Sequence, residues 1–252
     1  MPTVAVLGLG EAGWRLALDL ASAGVDVCGY DPATGSEASG VARAPDPQAA
    51  VAGRDVVLSV NSAAVARDVA AAALPALGRG AVYADLNTAA PALKRELAEL
   101  LAGSAGRFVD VALLGPVPAR GLCTPVLASG PGADAFADAF RPLGMPVDVV
   151  SGTAGDAARR KLLRSVFMKG LAAAAIESME AGEAAGEADW LRAELAGVIG
   201  EPLLDRLLEG SRTHAARRID ELRAAGELLA ELGVEPRVTG ASEAVLTGLE
   251  RR

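Results

Sequence analysis

Lys161, Ser165 and Lys169 follow one another at intervals of four residues, so a helix over this segment would carry all three along one side. Only two alanines, Ala158 and Ala172, share that side, which leaves room for a bound molecule in front of Lys161. A lysine ammonium in such a place can exchange a proton with a hydroxyl or carbonyl oxygen. The spacing therefore permits general acid/base chemistry at Lys161. The alternative for a helical lysine is a solvated charge whose stem lies along the surface.

Lysine is also rare in this chain. Of the 24 basic residues, only Lys94, Lys161 and Lys169 are lysines, and the others are arginines. A buried ammonium can lose its proton near neutral pH, whereas a guanidinium keeps its charge. Each lysine is therefore a candidate for a role that arginine cannot fill.

A second group of residues predicts a nucleotide. Gly8, Gly10 and Gly13 form G-x-G-x-x-G between an apolar run and a helical stretch, and Asp31 directly follows the next apolar run, 18 residues after Gly13. The first glycine permits a tight turn, the second lets a pyrophosphate approach the backbone, and the third lets helix and strand pack. The helix N-terminus attracts the anion, and Asp31 would accept hydrogen bonds from the adenosine ribose. A turn that holds nothing and the adenosyl cofactor of a methyltransferase are the alternatives.

The residues around Asp31 favour NAD over NADP. A 2'-phosphate beside this carboxylate would meet like charge. The next three residues, Pro32, Ala33 and Thr34, supply no arginine to pair with it.

The elements that must position these residues alternate over the first half of the chain. The apolar runs TVAVLG, VDVCGY, DVVLSV, AVYADL, FVDVALL and PVLASG are predicted strands. Helical stretches lie near residues 11–23, 62–73 and 91–102, the first closed by Gly24 and the third opened by Pro91. This alternation is typical of an α/β fold, a Rossmann-type doubly wound parallel sheet. We expect an NAD-binding domain over residues 1–154.

From residue 155 to 252 the chain reads as an all-helical domain for substrate binding and dimerisation. Breaks are expected near Gly200 and Gly210 and over residues 232–236. The first helix, roughly residues 156–181, joins the two domains and is apolar over more than half of its circumference. Such a helix is expected to be buried against the rest of the chain and a second copy, which predicts a homodimer and an active site between the two domains.

Composition excludes several classes of function. The net charge is -8 and no basic run occurs, so nucleic acid is not an expected partner. No charge-free run is long enough to span a membrane, and the N-terminus lacks the basic leader of a secretory signal, which predicts a cytoplasmic protein. Cys28 and Cys123 lie in apolar runs without metal-ligand spacing and are interpreted as buried reduced thiols rather than a disulfide or a nucleophile. No metal site is proposed.

Four stretches together resemble the β-hydroxyacid dehydrogenases, the superfamily of 6-phosphogluconate dehydrogenase. They are VAVLGLGEAG, DLNTAAP (85–91), FVDVALLGPV (108–117) and GDAARRKLLRS (155–165). In order, they are similar to the nucleotide turn, the nicotinamide-side loop, the substrate loop and the catalytic-lysine helix. The stretches GPVPARGLCTPVLASG and RRIDELRAAGELLAELGVEP resemble a branch with a short helical C-terminal domain of unknown function.

The resemblance implies roles for matching positions. Lys161 matches the catalytic lysine that passes a proton to or from the substrate oxygen while hydride moves to or from the nicotinamide, and Thr88 matches a hydroxyl position near that ring. The expected cofactor contacts are Gly8, Leu9, Gly10, Glu11, Ala12, Gly13, Asp31, Asn61, Asn87 and Thr88. The implied reaction is NAD-dependent hydride transfer at a secondary alcohol or carbonyl of a small acidic substrate.

Three positions depart from the family pattern. The substrate loop D-x-P-V-S-G-G is here DVALLGP, with Leu114 for the serine and Pro116 for the last glycine, and Ser165 replaces the asparagine four residues past the lysine. Leu114, Gly115, Pro116 and Lys169 are the candidate substrate contacts, and Lys161 and Ser165 the candidate catalytic residues. Lys169 either supplies the missing anion contact or is a surface charge. The departures keep open a second function, a dinucleotide-binding sensor or partner-binding protein without turnover.

Two further polar residues are given structural interpretations. Asp110 precedes the substrate loop and is expected to fix the backbone of that loop. His214, the only histidine, lies in an arginine-rich helix start and is expected to have a surface or capping role.

Overall fold

The structure is a computed structural model that describes residues 1–33 and 41–250. The chain forms two compact units, Met1–Lys161 and Leu162–Arg252. The division falls inside a helix, after Lys161, whereas the sequence places the domain boundary between residues 154 and 155. Thr34, which entered the argument about NADP, lies outside the described residues.

Unit one is an α/β unit whose strands form a single sheet. The strands are β1 (Val4–Leu7), β2 (Val27–Tyr30), β3 (Ala42–Arg43), β4 (Val56–Ser59), β5 (Val82–Asp85), β6 (Arg107–Leu113), β7 (Val126–Ser129) and β8 (Val147–Ser151). Their order in the sheet is β3-β2-β1-β4-β5-β6-β7-β8. All six predicted strands are confirmed, and β3 and β8 are additional.

The sheet is parallel from β3 to β6, and β7 then runs antiparallel to β6. The central strands are in direct register, so that Leu7 is opposite Ser59, Ser59 opposite Asp85, and Asp85 opposite Asp110. Parallel strands in register bring their carboxyl ends to one edge of the sheet. Residues that end β1, β4 and β5 therefore line up beside one another.

Alternate residues of each strand feed two separate apolar cores, as expected for a sheet covered on both faces. Val4 and Val6 of β1 belong to one core, and Ala5 and Leu7 to the other. This arrangement confirms the doubly wound fold.

The helices account for most of the remaining chain. They are α1 (Glu11–Ser22), α2 (Pro47–Val51), α3 (Ala66–Ala73), α4 (Pro91–Ala102), α5 (Val117–Arg120), α6 (Ala133–Phe140), α7 (Asp156–Ala185), α8 (Ala188–Ile199), α9 (Glu201–Thr213), α10 (Ala215–Glu231) and α11 (Arg237–Glu250). Helices α1 and α6 pack on one face of the sheet, and α2, α3 and α4 pack on the other. Within the described residues, no helix is long and apolar enough to cross a membrane.

Unit two is all-helical and has a core of its own. Ile176 and Met179 of α7 pack with leucines of α9 and α10 and with Leu246 of α11. The break at Gly200 is confirmed, but the one expected at Gly210 is wrong, because α9 continues to Thr213. A Cβ atom at position 210 would lie 2.8 Å from the Arg218 guanidinium, so glycine makes room there for a side chain of the next helix.

Candidate active site

The glycine turn lies between β1 and α1. Gly8 has φ +102°, and a Cβ atom added to it would lie 2.2 Å from the Val60 carbonyl oxygen. A Cβ atom on Gly13 would lie 1.9 Å from the Gly8 carbonyl oxygen, so any side chain at position 13 would clash with the turn. Both positions require glycine for the fold itself.

Gly10 differs, because a Cβ atom added to it would meet nothing within 4 Å. It is the N-cap residue of α1, and no side chain caps this helix end. An open backbone surface in front of an uncapped helix N-terminus fits the pyrophosphate of a dinucleotide. Leu9, Gly10, Glu11 and Ala12 would hold that group, as the motif predicts.

Asp31 follows β2 and holds the glycine turn. Its Oδ2 accepts a hydrogen bond from the Leu9 amide at 2.7 Å, and its Oδ1 accepts one from the Ala33 amide at 2.8 Å. A carboxylate has about four lone-pair sites, so these contacts still permit hydrogen bonds from ribose hydroxyls.

An arginine does lie next to Asp31, but it comes from another strand. The Arg43 guanidinium, at the end of β3, donates to the Asp31 carbonyl oxygen at 3.1 Å. Arg43 lies 12 residues from Asp31 in the sequence, and the parallel pairing of β2 with β3 brings the two close, so the residues directly after Asp31 gave no sign of it.

Two asparagines join the loops after β4 and β5. The backbone N–H of Asn61 donates to Asn87 Oδ1 at 2.7 Å, and Asn87 Nδ2 donates to Asn61 Oδ1 at 2.9 Å. Asn61 Nδ2 also donates to Ser59 Oγ at 3.0 Å. The two loops are therefore held together at the same edge of the sheet as the glycine turn.

Lys161 and Thr88 lie in contact. Lys161 Nζ donates to Thr88 Oγ1 at 2.6 Å, and both residues are half-buried. Thr88 follows Asn87, while Lys161 lies in the second turn of α7. The structure thus brings together two residues that are 73 positions apart and that the sequence analysis assigned to proton transfer and to the nicotinamide side.

A fully buried charged cluster lies beneath these loops. Asp85 and Asp110 are opposite each other on β5 and β6, and neither is exposed to solvent. Lys94 of α4, equally buried, hydrogen-bonds Asp85 Oδ2 at 2.6 Å and the Asp85 carbonyl oxygen at 3.0 Å. Its Nζ lies 3.2 Å from Asp110 Oδ1 as an ion pair without hydrogen-bond geometry. One ammonium therefore neutralises part of the repulsion between two neighbouring carboxylates.

Burial and charge act in opposite directions on this cluster. Burial alone would lower the pKa of Lys94, but the charges of Asp85 and Asp110 outweigh it and raise the pKa above 10.5. Burial raises the pKa of Asp85 above 3.8, although Lys94 opposes the shift. Lys94 is therefore an ammonium at neutral pH.

Asp110 holds the start of α7. Its Oδ2 accepts a hydrogen bond from the Ala158 amide at 2.9 Å and one from Ser129 Oγ at 3.3 Å, and Ser129 Oγ accepts one from the Ala157 amide at 3.0 Å. The sequence interpretation of Asp110 as a residue that fixes the substrate loop is wrong. Its carboxylate points to the first-turn amides of a helix, which are free to be capped.

The substrate loop after β6 packs on α1. Arg15 donates to the Pro118 carbonyl oxygen at 2.8 Å, and Asp19 Oδ2 accepts from the Leu122 amide at 3.0 Å. Gly115 is half-buried and Pro116, the N-cap residue of α5, is exposed. Leu114 lines an open depression of about 550 Å³ with residues 125–127, 141 and 144–148.

Ser165 and Lys169 lie further along α7, in unit two. Ser165 is 5% exposed. Lys169 forms an ion pair with Glu221 of α10, and its side chain is only 15% exposed. Burial lowers the pKa of Lys169 in spite of Glu221. It is therefore not a surface charge, and an anionic substrate would compete with Glu221 for it.

The cysteines differ from each other. Cys28 of β2 is buried as expected, but Cys123 is exposed, so the expectation of a buried thiol is wrong there. Position 123 ends the tight turn that joins α5 to β7, and its neighbours Leu122 and Thr124 are buried.

Asp85 was not singled out from the sequence, and Lys94 was noted there only as a rare lysine without a partner or a place. A signal was present, because Lys94, Leu97 and Leu101 recur at helical spacing and so share the buried face of α4. A charged residue on an apolar stripe calls for buried partners of opposite charge. An aspartate at the end of one predicted strand, Asp85, and one within the next, Asp110, could have supplied them.

Comparison with known proteins identifies both parts of the chain. Residues 3–140 match the NAD-binding domain of 6-phosphogluconate dehydrogenase. Residues 183–249 match a domain of unknown function. The predicted resemblance is confirmed in both units.

Three individual proteins are similar to this chain in sequence or in fold. A conserved hypothetical protein from Sinorhizobium meliloti is 30% identical, with a TM-score of 0.77 over 98% of this chain and 88% of that one. Mycobacterium tuberculosis 3-hydroxyisobutyrate dehydrogenase, solved with L-serine, has the same fold, with a TM-score of 0.82 at 22% identity over 98% of this chain and 93% of that one. An uncharacterized 28.5 kDa protein of Methanothermus fervidus is 27% identical over 144 residues, 56% of this chain and 55% of that protein.

The match therefore spans about half the length of that curated relative. The family model, by contrast, covers more than half of this chain, including the glycine turn, the asparagine loops and the buried Lys94 cluster. We conclude that the chain belongs to the oxidoreductase family that is built on the NAD-binding domain of 6-phosphogluconate dehydrogenase.

Proposed function

We propose that this protein is an NAD-dependent oxidoreductase that acts on a secondary alcohol, or the matching carbonyl, of a small acidic molecule, with Lys161 as general acid/base. The observation that carries the proposal is the contact of Lys161 Nζ with Thr88 Oγ1 at 2.6 Å, beside the loop that the family uses near the cofactor. NAD, when bound, takes up or gives a hydride.

The residues of the chain supply orientation and proton transfer. The turn at Gly8–Gly13 and Asp31 would hold the adenosine and pyrophosphate end, while Asn61, Asn87 and Thr88 would face the nicotinamide end. Lys161, half-buried and held by Thr88, would take the proton from a substrate hydroxyl or return it to a carbonyl oxygen. Ser165, one helical turn further, is the candidate second contact.

NAD is proposed over NADP because a 2'-phosphate would approach the Asp31 carboxylate. Arg43 is the feature that argues the other way, since its guanidinium lies next to Asp31 and an arginine near the acidic residue can accommodate a 2'-phosphate.

The second candidate is a dinucleotide-binding sensor or partner-binding protein without turnover. Leu114 and Pro116 favour it, because neither side chain can hold a substrate carboxylate where the family pattern has serine and glycine. Among the candidate substrate contacts, Lys169 is already paired with Glu221.

The substitution Lys161→Met separates the two functions. Wild-type protein is incubated with NAD or NADH and a panel of small 3-hydroxy acids and the matching keto acids, and the nicotinamide absorbance is followed. We expect turnover by the wild type, none by Lys161→Met, and NADH affinities within about twofold of each other, since Lys161 acts on the substrate. An active wild type whose Lys161→Met variant keeps full turnover would refute the role of Lys161, and no turnover with any compound would favour the sensor.

We also propose a homodimer in which α7 contributes to the interface. Leu163 and Phe167 of α7 are 44% and 68% exposed, which is unusual for large apolar side chains so close together. Light scattering after gel filtration tests this: the wild type should elute as a dimer and Phe167→Glu as a monomer, and a monomeric wild type would refute the proposal.

A further inference from the structure

Lys94 lies at the junction of two chains of polar contacts. The first runs from Lys94 Nζ to Asp85 Oδ2 at 2.6 Å, and from Asp85 Oδ1 to Asn87 Nδ2 at 2.5 Å. Asn87 then holds Asn61 through two hydrogen bonds. This chain ends at the loop that carries Thr88.

The second chain runs from Lys94 to the helix that carries Lys161. Lys94 Nζ contacts Asp110 Oδ1 at 3.2 Å, and Asp110 Oδ2 accepts a hydrogen bond from the Ala158 amide at 2.9 Å. Lys161 lies three residues after Ala158, on the next turn of α7.

The contact between Lys161 and Thr88 joins the two chains into a closed ring. Every link of the ring lies within unit one, and Lys94, Asp85 and Asp110 are completely buried. Buried polar groups in a connected network fix one another's positions more firmly than isolated pairs do, because an unpaired member would be costly. A shift of the loop that carries Thr88 would therefore be transmitted through Lys94 to the start of α7, and a shift of α7 to the loop.

We propose that Lys94 is a positioning residue: it sets the distance between the loop at Thr88 and the start of α7, and so holds Lys161 in place for proton transfer. This inference rests on the proposed function, because the position of Lys161 matters if Lys161 transfers a proton. The experiment that tests it does not require enzymatic activity. Lys94 does not touch the substrate or cofactor in this scheme. It acts through Asp85 on one side and through Asp110 on the other.

The charge of the cluster explains why a lysine is used for this role. Two carboxylates in register on adjacent strands repel each other, and a single ammonium on the facing helix attracts both. Asp110 also lies at the N-terminus of α7, where the helix dipole attracts a carboxylate. The cation and the helix start therefore hold the two acids jointly.

The test uses a double variant, Lys94→Met with Asp85→Asn. The single substitution Lys94→Met leaves two buried carboxylates, Asp85 and Asp110, without their cation and can prevent folding. The added Asp85→Asn removes one of the two negative charges and keeps an oxygen that can accept the hydrogen bond from Asn87. The ring is then cut at Lys94 while the net charge of the cluster stays as in the wild type.

Two measurements report on position rather than on stability. The first is the rate at which Lys161 is acetylated by acetic anhydride, read peptide by peptide by mass spectrometry. The second is the affinity for NADH compared with that for ADP-ribose, which lacks the nicotinamide. In the double variant, we expect Lys161 to be acetylated faster. The NADH affinity should fall about tenfold, the effect of losing one strong hydrogen bond, while ADP-ribose binding stays within about twofold.

Leu97→Ala is the matched control. Leu97 is a fully buried residue of the same helix, one turn from Lys94, and it belongs to the apolar core rather than to the ring. It destabilises α4 without cutting the ring. We expect wild-type acetylation of Lys161 and a wild-type ratio of NADH to ADP-ribose affinity.

Two outcomes would overturn the proposal. One is a folded double variant with wild-type acetylation and a wild-type affinity ratio. The other is a Leu97→Ala variant that changes both quantities as much as the double variant does. Neither readout depends on turnover, so a wild type without dehydrogenase activity would refute the proposed function and still allow Lys94 to be judged.

Discussion

The two ends of the candidate site are built in different ways. At the adenosine end, the chain uses backbone: three glycines within six residues make a turn, and Asp31 holds the turn through amides. At the chemical end, the chain uses side chains from four separate segments, with Lys94 and two carboxylates completely buried beneath Thr88 and Lys161. The first depends on the absence of side-chain atoms, and the second on a balance of buried charge.

This difference determines how each end responds to change. A turn built from backbone fails when any atom is added where space is needed. A charge cluster fails when one partner is removed, because the others then remain buried without compensation. Substitutions of the glycines and of Lys94 separate these two kinds of failure.

The largest effect is expected at the glycine turn. Gly13→Ala places a Cβ atom 1.9 Å from the Gly8 carbonyl oxygen, so the free energy of unfolding should fall by about 3 kcal/mol or more.

The Cβ atom of a Gly10→Ala variant would meet nothing within 4 Å, so this substitution should change the free energy of unfolding by less than about 1 kcal/mol. Gly10→Ala should nevertheless weaken NADH binding about tenfold, because its methyl group occupies the approach of the pyrophosphate.

Urea unfolding and fluorescence titration with NADH measure these two effects. A Gly10→Ala variant that binds NADH as the wild type does would show that the pyrophosphate does not approach this part of the backbone. A stable Gly13→Ala variant would contradict the close packing of α1 on the turn.

The second effect concerns the buried cluster and its dependence on pH. Lys94→Met should lower the free energy of unfolding by about 3–5 kcal/mol near neutral pH. The pKa of Lys94 is raised above 10.5 by Asp85 and Asp110, in spite of burial. A raised pKa in the folded state stabilises the protein fully below the unfolded value and loses its effect as the pH rises through the folded value.

The stability difference between wild type and Lys94→Met should therefore stay constant up to about pH 9 and shrink only above 10.5. Urea unfolding of both proteins over this range measures it. A difference that already shrinks between about pH 6 and 8 would mean that Lys94 loses its proton there and is not an ammonium at neutral pH.

The smallest effect is expected in the choice of cofactor. If Asp31 binds the adenosine ribose as proposed, a 2'-phosphate would meet its charge, and NADH should bind the wild type about tenfold more tightly than NADPH. Arg43→Ala should change NADH affinity by no more than about twofold. Tighter binding of NADPH by the wild type, lost in Arg43→Ala, would reverse our assignment and give Arg43 the role of phosphate ligand.

The glycine turn could be recognised from the sequence for a physical reason. Close backbone approach allows only glycine, so Gly8 and Gly13 are recognisable in the sequence without knowledge of the fold. The strands were recognisable for a related reason, since a sheet covered on both faces requires continuous apolar runs. Two strands were missed, because β3 has only two residues and β8 is only partly buried.

The chemical end could be predicted only in part. Helical spacing and the family resemblance made Lys161 a candidate, but its contact with Thr88 depends on how α7 begins, and Asp110 on a distant strand holds that start. Asp110 was placed correctly on its strand but assigned to the wrong partner. Side-chain contacts between distant segments leave no local pattern, whereas the apolar stripe around Lys94 on α4 did leave one.

The most direct test of the account is a crystal structure of the protein with NAD. We expect the pyrophosphate against the backbone of Leu9–Gly13 and the nicotinamide beside Thr88 and Lys161, with the buried contacts of Lys94 to Asp85 and Asp110 intact. A dinucleotide bound at the glycine turn whose nicotinamide lies away from Thr88 and Lys161 would contradict the assignment of Lys161 as the proton-transfer residue.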